Sequence, residues 1–261
     1  MTDISIVLIT WKMKSLLERL LISLYKYSEG FDFELIIIDN NSQDGTVEMI
    51  EEKYQNTILI KNKENLGVAP ARNQGLKIAK GKYILILDAD MELTENSLLQ
   101  LFQFMERDKE CGLVGCKLTD VNGTLQYSCK KFPSIFSLFA RRLEGFSLIR
   151  NSKLLNEHLM TEWNHNEIGE VDYVIGACQF FRRDVMEKIG YYDDKIFYGP
   201  EDIDYCIRVW EAAWKVKYYP FTSIIHHEQR ITKKALFSKI TLKHLVGIYY
   251  IFNKYNGKLT R

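Results

Sequence analysis

Residues 83–90 read Tyr83-Ile84-Leu85-Ile86-Leu87-Asp88-Ala89-Asp90. An unbroken branched apolar run marks a strand buried on both faces, and such strands belong to parallel sheets covered by helices on either side. The run stops at two carboxylates separated by one alanine. In open α/β sheets ligands bind beyond the carboxyl ends of the strands, so this strand carries its acidic residues where a ligand would sit. On extended backbone, residues two apart point to the same side. Asp88 and Asp90 are therefore expected to converge on one cation, Mn2+ or Mg2+, which would keep positions open for substrate phosphates. The alternative for a bare pair of this kind is a solvated acidic turn.

The same pattern extends outward in both directions. Ile4-Ser5-Ile6-Val7-Leu8-Ile9 is a second β-branched run, and Met13 to Tyr27 places Leu16, Leu17, Leu20, Leu21 and Leu24 on one helical face. Strands at Glu34–Ile38 and Thr57–Lys61 alternate with helices near Gly45–Tyr54 and Pro70–Ala79. This βα repeat predicts an α/β fold with a Rossmann-like, mostly parallel central sheet flanked by helices. Beyond Cys116 the pattern weakens. Gly123–Cys129 reads as a strand, 133–170 as irregular and helical in pieces, and Val171–Phe181 as a strand pair or a strand and turn. Helices at Asp184–Ile189 and Glu201–Trp214 and strands at Val216–Tyr219 and Ser223–His226 follow, then a long helix over Lys233–Lys254. The expected organisation is a body of residues 1–228, in halves 1–116 and 117–228, followed by a helical tail of residues 229–261.

Composition excludes several classes. The 261 residues include 35 Lys+Arg, 34 Asp+Glu and 46% apolar residues, which suits a packed core and not a disordered chain. Five cysteines without a C-x-x-C spacing indicate buried thiols, neither a disulfide framework nor a zinc ribbon. No apolar run approaches the roughly 20 residues needed to cross a bilayer, and the first residues lack a secretory pattern. The expectation is a cytoplasmic protein, soluble or peripheral on the inner face of the membrane. The tail from Gln229 holds eight basic residues and no acidic one, so an acidic body ends in a basic tail. Such a helix suits contact with anionic lipid, packing on the body, or a homodimer. An acidic body without a reading motif argues against nucleic acid.

Further polar clusters follow the other strands. Asp39-Asn40-Asn41-Ser42-Gln43-Asp44-Gly45-Thr46 directly follows Ile36-Ile37-Ile38. Asp44 or Ser42 suits a helix cap, while Asp39 is placed to bind a base or a ribose hydroxyl. Asn65-Leu66-Gly67 through Arg72-Asn73-Gln74-Gly75 opens a helix whose amides and Arg72 suit an anion. No dinucleotide fingerprint or P-loop occurs. Tyr198-Gly199-Pro200-Glu201-Asp202-Ile203-Asp204 carries more carboxylates than a helix start requires, although Asp204 and Arg208 are also spaced as an i,i+4 pair. One of these carboxylates is suited to take a proton from a hydroxyl. His226-His227-Glu228 follows a strand and offers a third metal ligand.

Taken in order, these motifs closely resemble family 2 glycosyltransferases of the GT-A fold, over about residues 3–228. The resemblance implies a metal-dependent, inverting enzyme that moves one sugar from a nucleotide-diphosphate sugar to a glycan or lipid-linked saccharide in surface polysaccharide synthesis. By this likeness the donor side comprises Thr10, Asp39, Asn41, Asn65, Asp88, Ala89 and Asp90. Arg72 is added on chemical grounds as a cation for the departing diphosphate. Asp88, Asp90 and His226 or His227 would hold the metal, and Asp202 matches the catalytic base. Glu201, Asp204, Gly176 and Ala177 would line the acceptor side. Asn40, where many members carry a second aspartate, and the Gly176–Arg183 segment are similar to the rhamnosyltransferase-like branch, which suggests a UDP- or dTDP-linked donor. The absence of Q-x-x-R-W disfavours a processive synthase. Competing readings are a sugar nucleotidyltransferase, for which a basic glycine-rich loop near the amino terminus is missing, and an inactive sugar-binding or scaffold subunit of the same fold.

Overall fold

The computed structural model describes residues 2–142, 149, 152–229 and 239–261. Its first third is the predicted βα repeat: β1 (Ile4–Thr10), α1 (Lys14–Tyr27), β2 (Phe33–Asp39), α2 (Thr46–Lys53), β3 (Ile58–Lys61), α3 (Val68–Leu76) and β4 (Tyr83–Asp88). The apolar runs are continuous because both faces of each strand are covered. Ile4, Ile6 and Leu8 of β1 join a core with Leu17, Leu20 and Leu21 of α1. Val7, between them, points the other way into a second core with Ala69, Ala71 and Leu76 of α3. Gly75 permits that contact, since a Cβ there would lie 2.5 Å from Val7 Cγ1.

The remaining elements are β5 (Met91–Leu93), α4 (Ser97–Arg107), β6 (Cys111–Thr119), β7 (Leu125–Gln126), β8 (Cys129–Lys130), α5 (Ile135–Arg142), α6 (Lys153–Leu159), β9 (Gly169–Glu170), β10 (Tyr173–Val174), β11 (Cys178–Arg182), α7 (Arg183–Ile189), α8 (Glu201–Glu211), β12 (Lys215–His226) and α9 (Lys239–Lys254). The main sheet runs β3-β2-β1-β4-β11-β6-β12-β5, while β8 and β10 pair separately. β3, β2, β1 and β4 are parallel, and β11 enters antiparallel to both β4 and β6. The chain steps outward from β1 to β3 and then returns to β4 on the other side of β1. That reversal opens a crevice beyond the carboxyl ends of β1 and β4.

Three local expectations change. Residues 123–129 form two short strands rather than one. The separate strands expected at 216–219 and 223–226 are one strand, β12, whose register against β6 shifts between Tyr219 and Ser223. Pro220 lies in that interval and brings no N–H to the ladder, which accounts for the apparent break. The tail helix is described from Lys239, and the part of its predicted span over 233–238 lies outside the described residues. All five cysteines are buried and free.

α9 packs on the body. Ile251 and Phe252, with Leu259 beyond the helix, are buried. Lys254 Nζ donates to Asp193 Oδ2 at 2.8 Å and to Asp204 Oδ1 at 2.6 Å. The opposite side of the same helix leaves Leu242, Leu245, Val246 and Tyr249 exposed.

Candidate active site

The reversal at β1 sets three strand ends side by side: Thr10 pairs with Asp39, and Ile9 with Asp88. Thr10 and Asp39 are buried. Asp39 Oδ2 accepts the Ser42 N–H at 3.0 Å, whereas Asp39 Oδ1 and Thr10 Oγ1 are enclosed without a partner among the described residues. Leaving a buried oxygen unpaired costs about 1–3 kcal/mol. Two such oxygens at adjacent strand ends are what a hydroxyl- or amide-bearing ligand would satisfy. Asn41 (φ 66°) and Gln43 (φ 55°) turn the chain back directly after the strand.

Asn40 shows why an amide stands where a second carboxylate was the comparison. Its Nδ2 donates to Asn65 Oδ1 at 3.1 Å and to the Gly67 carbonyl at 3.0 Å. Its Oδ1 accepts from Asn62 Nδ2 at 3.0 Å and from the Leu66 N–H at 3.2 Å. Only an amide both gives and takes in this way. Asn65 is thereby committed to its own loop, its Oδ1 also accepting the Gly67 N–H at 2.9 Å. Gly67 has φ 92°, and a Cβ there would lie 2.4 Å from the Phe197 carbonyl oxygen, so this loop closes directly onto the segment that leads into α8.

Asp88 ends β4, but Ala89 and Asp90 form a turn before β5. The strand alternation expected to turn Asp88 and Asp90 to one side is thus interrupted by a turn, in which Ala89 is buried. Asp90 is 6% exposed. Burial, and then the neighbouring Asp88 charge, pushes its carboxyl up to about 6 against the pull of His226. His226 Nε2 stands 3.6 Å from Asp90 Oδ1. Its Nδ1 is 2.8 Å from Gln126 Oε1, and Gln126 Nε2 donates to the His226 carbonyl at 2.9 Å. Because the amide spends its N–H on that carbonyl, its oxygen is the acceptor. Nδ1 therefore donates to Gln126, and Nε2 faces Asp90. An outer hydrogen bond of this kind also orients metal-binding histidines. His227 points elsewhere, its Nε2 lying 2.8 Å from Glu92 Oε2. Among the described residues no group of three or more histidine, cysteine or acidic side chains is already gathered for a metal. Two carboxylates and one imidazole nitrogen nevertheless fit a hard divalent ion that takes its other ligands from phosphate and water.

Arg72 lies where these strands and α8 meet, and it faces protein. It is 2% exposed. Nη2 donates to Asp88 Oδ1 at 2.9 Å and to the Gly176 carbonyl at 2.7 Å, and Nη1 donates to Glu201 Oε1 at 3.0 Å. Burial opposes its charge, but the carboxylates of Asp88 and Glu201 outweigh it and hold the guanidinium firmly protonated. Arg72, expected as a cation for the departing diphosphate, here ties β4, the 176–177 segment and α8 together.

The first turn of α8 divides its carboxylates among different tasks. Asp202 Oδ2 accepts the Gly176 N–H at 3.1 Å, and the side chain stays half-buried at the rim. Glu201 is buried on Arg72, and burial pushes its carboxyl up to about 7. Asp204, expected on the acceptor side, is fully buried instead: Oδ2 accepts from Arg208 Nε at 2.9 Å and Oδ1 from Tyr255 Oη at 3.0 Å. The i,i+4 spacing with Arg208 is what it serves. Gly176 and Ala177 act through their backbone, the Ala177 carbonyl accepting the Asp88 N–H at 3.0 Å. Sequence reasoning passed over the Tyr198 side chain, whose hydroxyl is pushed upward by burial and by the charges of Asp88, Glu201, Asp90 and Asp202 together. It also passed over Gln126, 100 positions from His226, for which the sequence holds no local signal.

The family model described as glycosyl transferase family 2 matches residues 5–190. An N-acetylglucosaminyl-diphospho-decaprenol L-rhamnosyltransferase of Mycobacterium tuberculosis is 24% identical, covering 98% of this chain and 87% of its own length. Among solved structures, GalNAc-T7 with UDP, GalNAc and Mn2+ superposes with a TM-score of 0.66 at 19% identity, over 86% of this chain and 43% of that one. The mannosyltransferase PcManGT from Pyrobaculum calidifontis, in complex with GDP-Man and Mn2+, gives 0.60 at 20% identity, over 87% of this chain and 58% of that one. This chain thus spans about half the length of those two solved chains, and the likeness to them is one of fold.

Proposed function

Since the chain belongs to glycosyl transferase family 2, we propose that it transfers a single sugar, with inversion, from a UDP- or dTDP-linked donor to a hydroxyl of a glycan or lipid-linked saccharide. One observation carries the reading: Arg72 ties Asp88 to the helix that bears Asp202, so the strand-end carboxylates and the α8 carboxylate share one rim of the sheet. Asp39 Oδ1 and Thr10 Oγ1 would take the nucleoside. Asp88, Asp90 and His226 Nε2 would hold Mn2+ or Mg2+, which when bound neutralises diphosphate charge. Asp202 takes the proton of the attacking hydroxyl as that oxygen forms its bond to the anomeric carbon. The bond from that carbon to the diphosphate breaks on the opposite face, and the diphosphate leaves with the electron pair. Gly176 N–H fixes the Asp202 carboxylate, while Arg72 and Glu201 keep α8 in register with β4.

The test is a panel of nucleotide sugars assayed for nucleotide release. Release is expected with Mn2+ or Mg2+ and is expected to vanish in EDTA; equal release in EDTA would remove the metal from the reading. The M. tuberculosis relative carries a lipid diphosphate in its acceptor's name, which supports a lipid-linked acceptor here. Leu242, Leu245, Val246 and Tyr249 repeat at i, i+3, i+4 and i+7 on the outer side of α9, within a stretch that has no acidic residue, and this suits an anionic membrane surface. Flotation with vesicles containing phosphatidylglycerol should carry the protein, and Leu245→Glu with Val246→Glu should leave it at the bottom of the gradient. Flotation that survives both changes would rule this helix out as the contact.

A further inference from the structure

β8 and β10 form their own two-stranded ladder, in which Lys130 stands opposite Tyr173. Lys130 is 4% exposed, yet its ammonium has no hydrogen bond or ion pair among the described residues. What it has is the face of the Tyr173 ring, with Nζ 5.9 Å from the centroid. Tyr173 is in turn stacked on Phe132, with ring centroids 6.1 Å apart. Burying a cation without a counter-charge is costly, and a lysine whose only task was to cover the Tyr173 ring would let its head reach water.

A second cation accompanies it. Arg141, half-buried on α5, is close enough to act on Lys130, His158 and Tyr173. Burial, followed by Lys130 and Arg141, holds the His158 imidazole down to about 3, so it stays neutral and brings no charge. Burial and then Arg141 hold the Lys130 ammonium down to about 7, with Asp202 foremost among the carboxylates that pull it back.

We propose that Lys130 and Arg141 form an anion subsite beside Asp202 that binds a phosphate or diphosphate ester carried by the acceptor. This rests on the reading of Asp202 as the group facing the attacking hydroxyl. An anion there would supply the counter-charge that Lys130 lacks and would set the acceptor sugar against Asp202. The donor's diphosphate, by contrast, belongs with Asp88 and Asp90.

The test is calorimetric titration of phenyl phosphate into the full-length protein, held in Mg2+ and saturating UDP so that the donor side is filled. Wild-type protein is expected to bind. Lys130→Met keeps an unbranched stem one atom shorter than that of lysine, removes a desolvated charge, and should melt at the same temperature or higher. It should weaken phenyl phosphate binding about tenfold or more, as should Arg141→Gln, a change at a half-exposed position that serves if the first variant misfolds. Undiminished affinity in a folded Lys130→Met protein, or complete displacement of phenyl phosphate by UDP, would overturn the subsite. Failure of UDP to bind wild-type protein, with phenyl phosphate still held in a Lys130-dependent way, would count against the donor reading and leave the subsite standing.

Discussion

Asp202→Asn is expected to bind nucleotide as the wild-type protein does and to transfer sugar about 10²–10⁴ times more slowly, the range associated with a positioned general base. The amide is nearly the same size as the carboxylate and keeps one oxygen for the Gly176 N–H. It has no basic oxygen to receive the acceptor's proton. A modest loss of stability should accompany the change, because Asp202 lies in the first turn of α8, where a negative charge contributes about 0.3–1 kcal/mol. The informative comparison is kcat against the nucleotide Kd. A variant that transfers at the wild-type rate would take the base away from Asp202, and a variant that loses nucleotide binding in proportion to rate would move Asp202 to the donor side.

Arg72→Met should be the most damaging single change to the scaffold. It removes Nη1 and Nη2 from three acceptors at once: Asp88 Oδ1, Glu201 Oε1 and the Gly176 carbonyl. Removing one partner of a buried ion pair costs about 3–5 kcal/mol, since the remaining charge stays buried without compensation. The midpoint of urea unfolding should fall accordingly. Pairing Arg72→Met with Glu201→Leu should recover part of the loss, because the double change also removes the buried carboxylate. If the double variant is no more stable than Arg72→Met alone, the Glu201 charge is not what makes the single change costly. Loss of activity in Arg72→Met would then follow from disorder between β4 and α8, without any contact between the guanidinium and substrate.

The motifs that fixed the fold were all local. Alternating apolar runs and helical faces around Ile4–Ile9, Glu34–Ile38 and Tyr83–Leu87 report burial on both faces of a sheet, and burial is written residue by residue. The same locality located the strand ends, and with them Asp39, Asp88 and Asp90. It also misled. Asp88 and Asp90 looked like strand neighbours, but a turn separates them. Glu201, Asp202 and Asp204 looked like one acidic group, but a helix sends residues one and two apart toward different sides. Asp204 went inward to Arg208 and Lys254, Glu201 went to Arg72, and Asp202 was left at the rim.

The amino-acid order by itself determined the βα strands of the first third, where they end, and that acidic residues cluster at those ends, because hydrophobic periodicity and turn chemistry act over a few residues. Only the tertiary structure decided which of those acids are available for chemistry. The side chains that settle it arrive from far along the chain: Arg72 claims Glu201 across 129 positions, Gln126 orients His226 across 100, and Lys130 comes within reach of the Asp202 charge with no hydrogen bond or ion pair among the described residues. Charge compensation in a buried setting depends on distance in space, and spacing along the sequence carries little record of that.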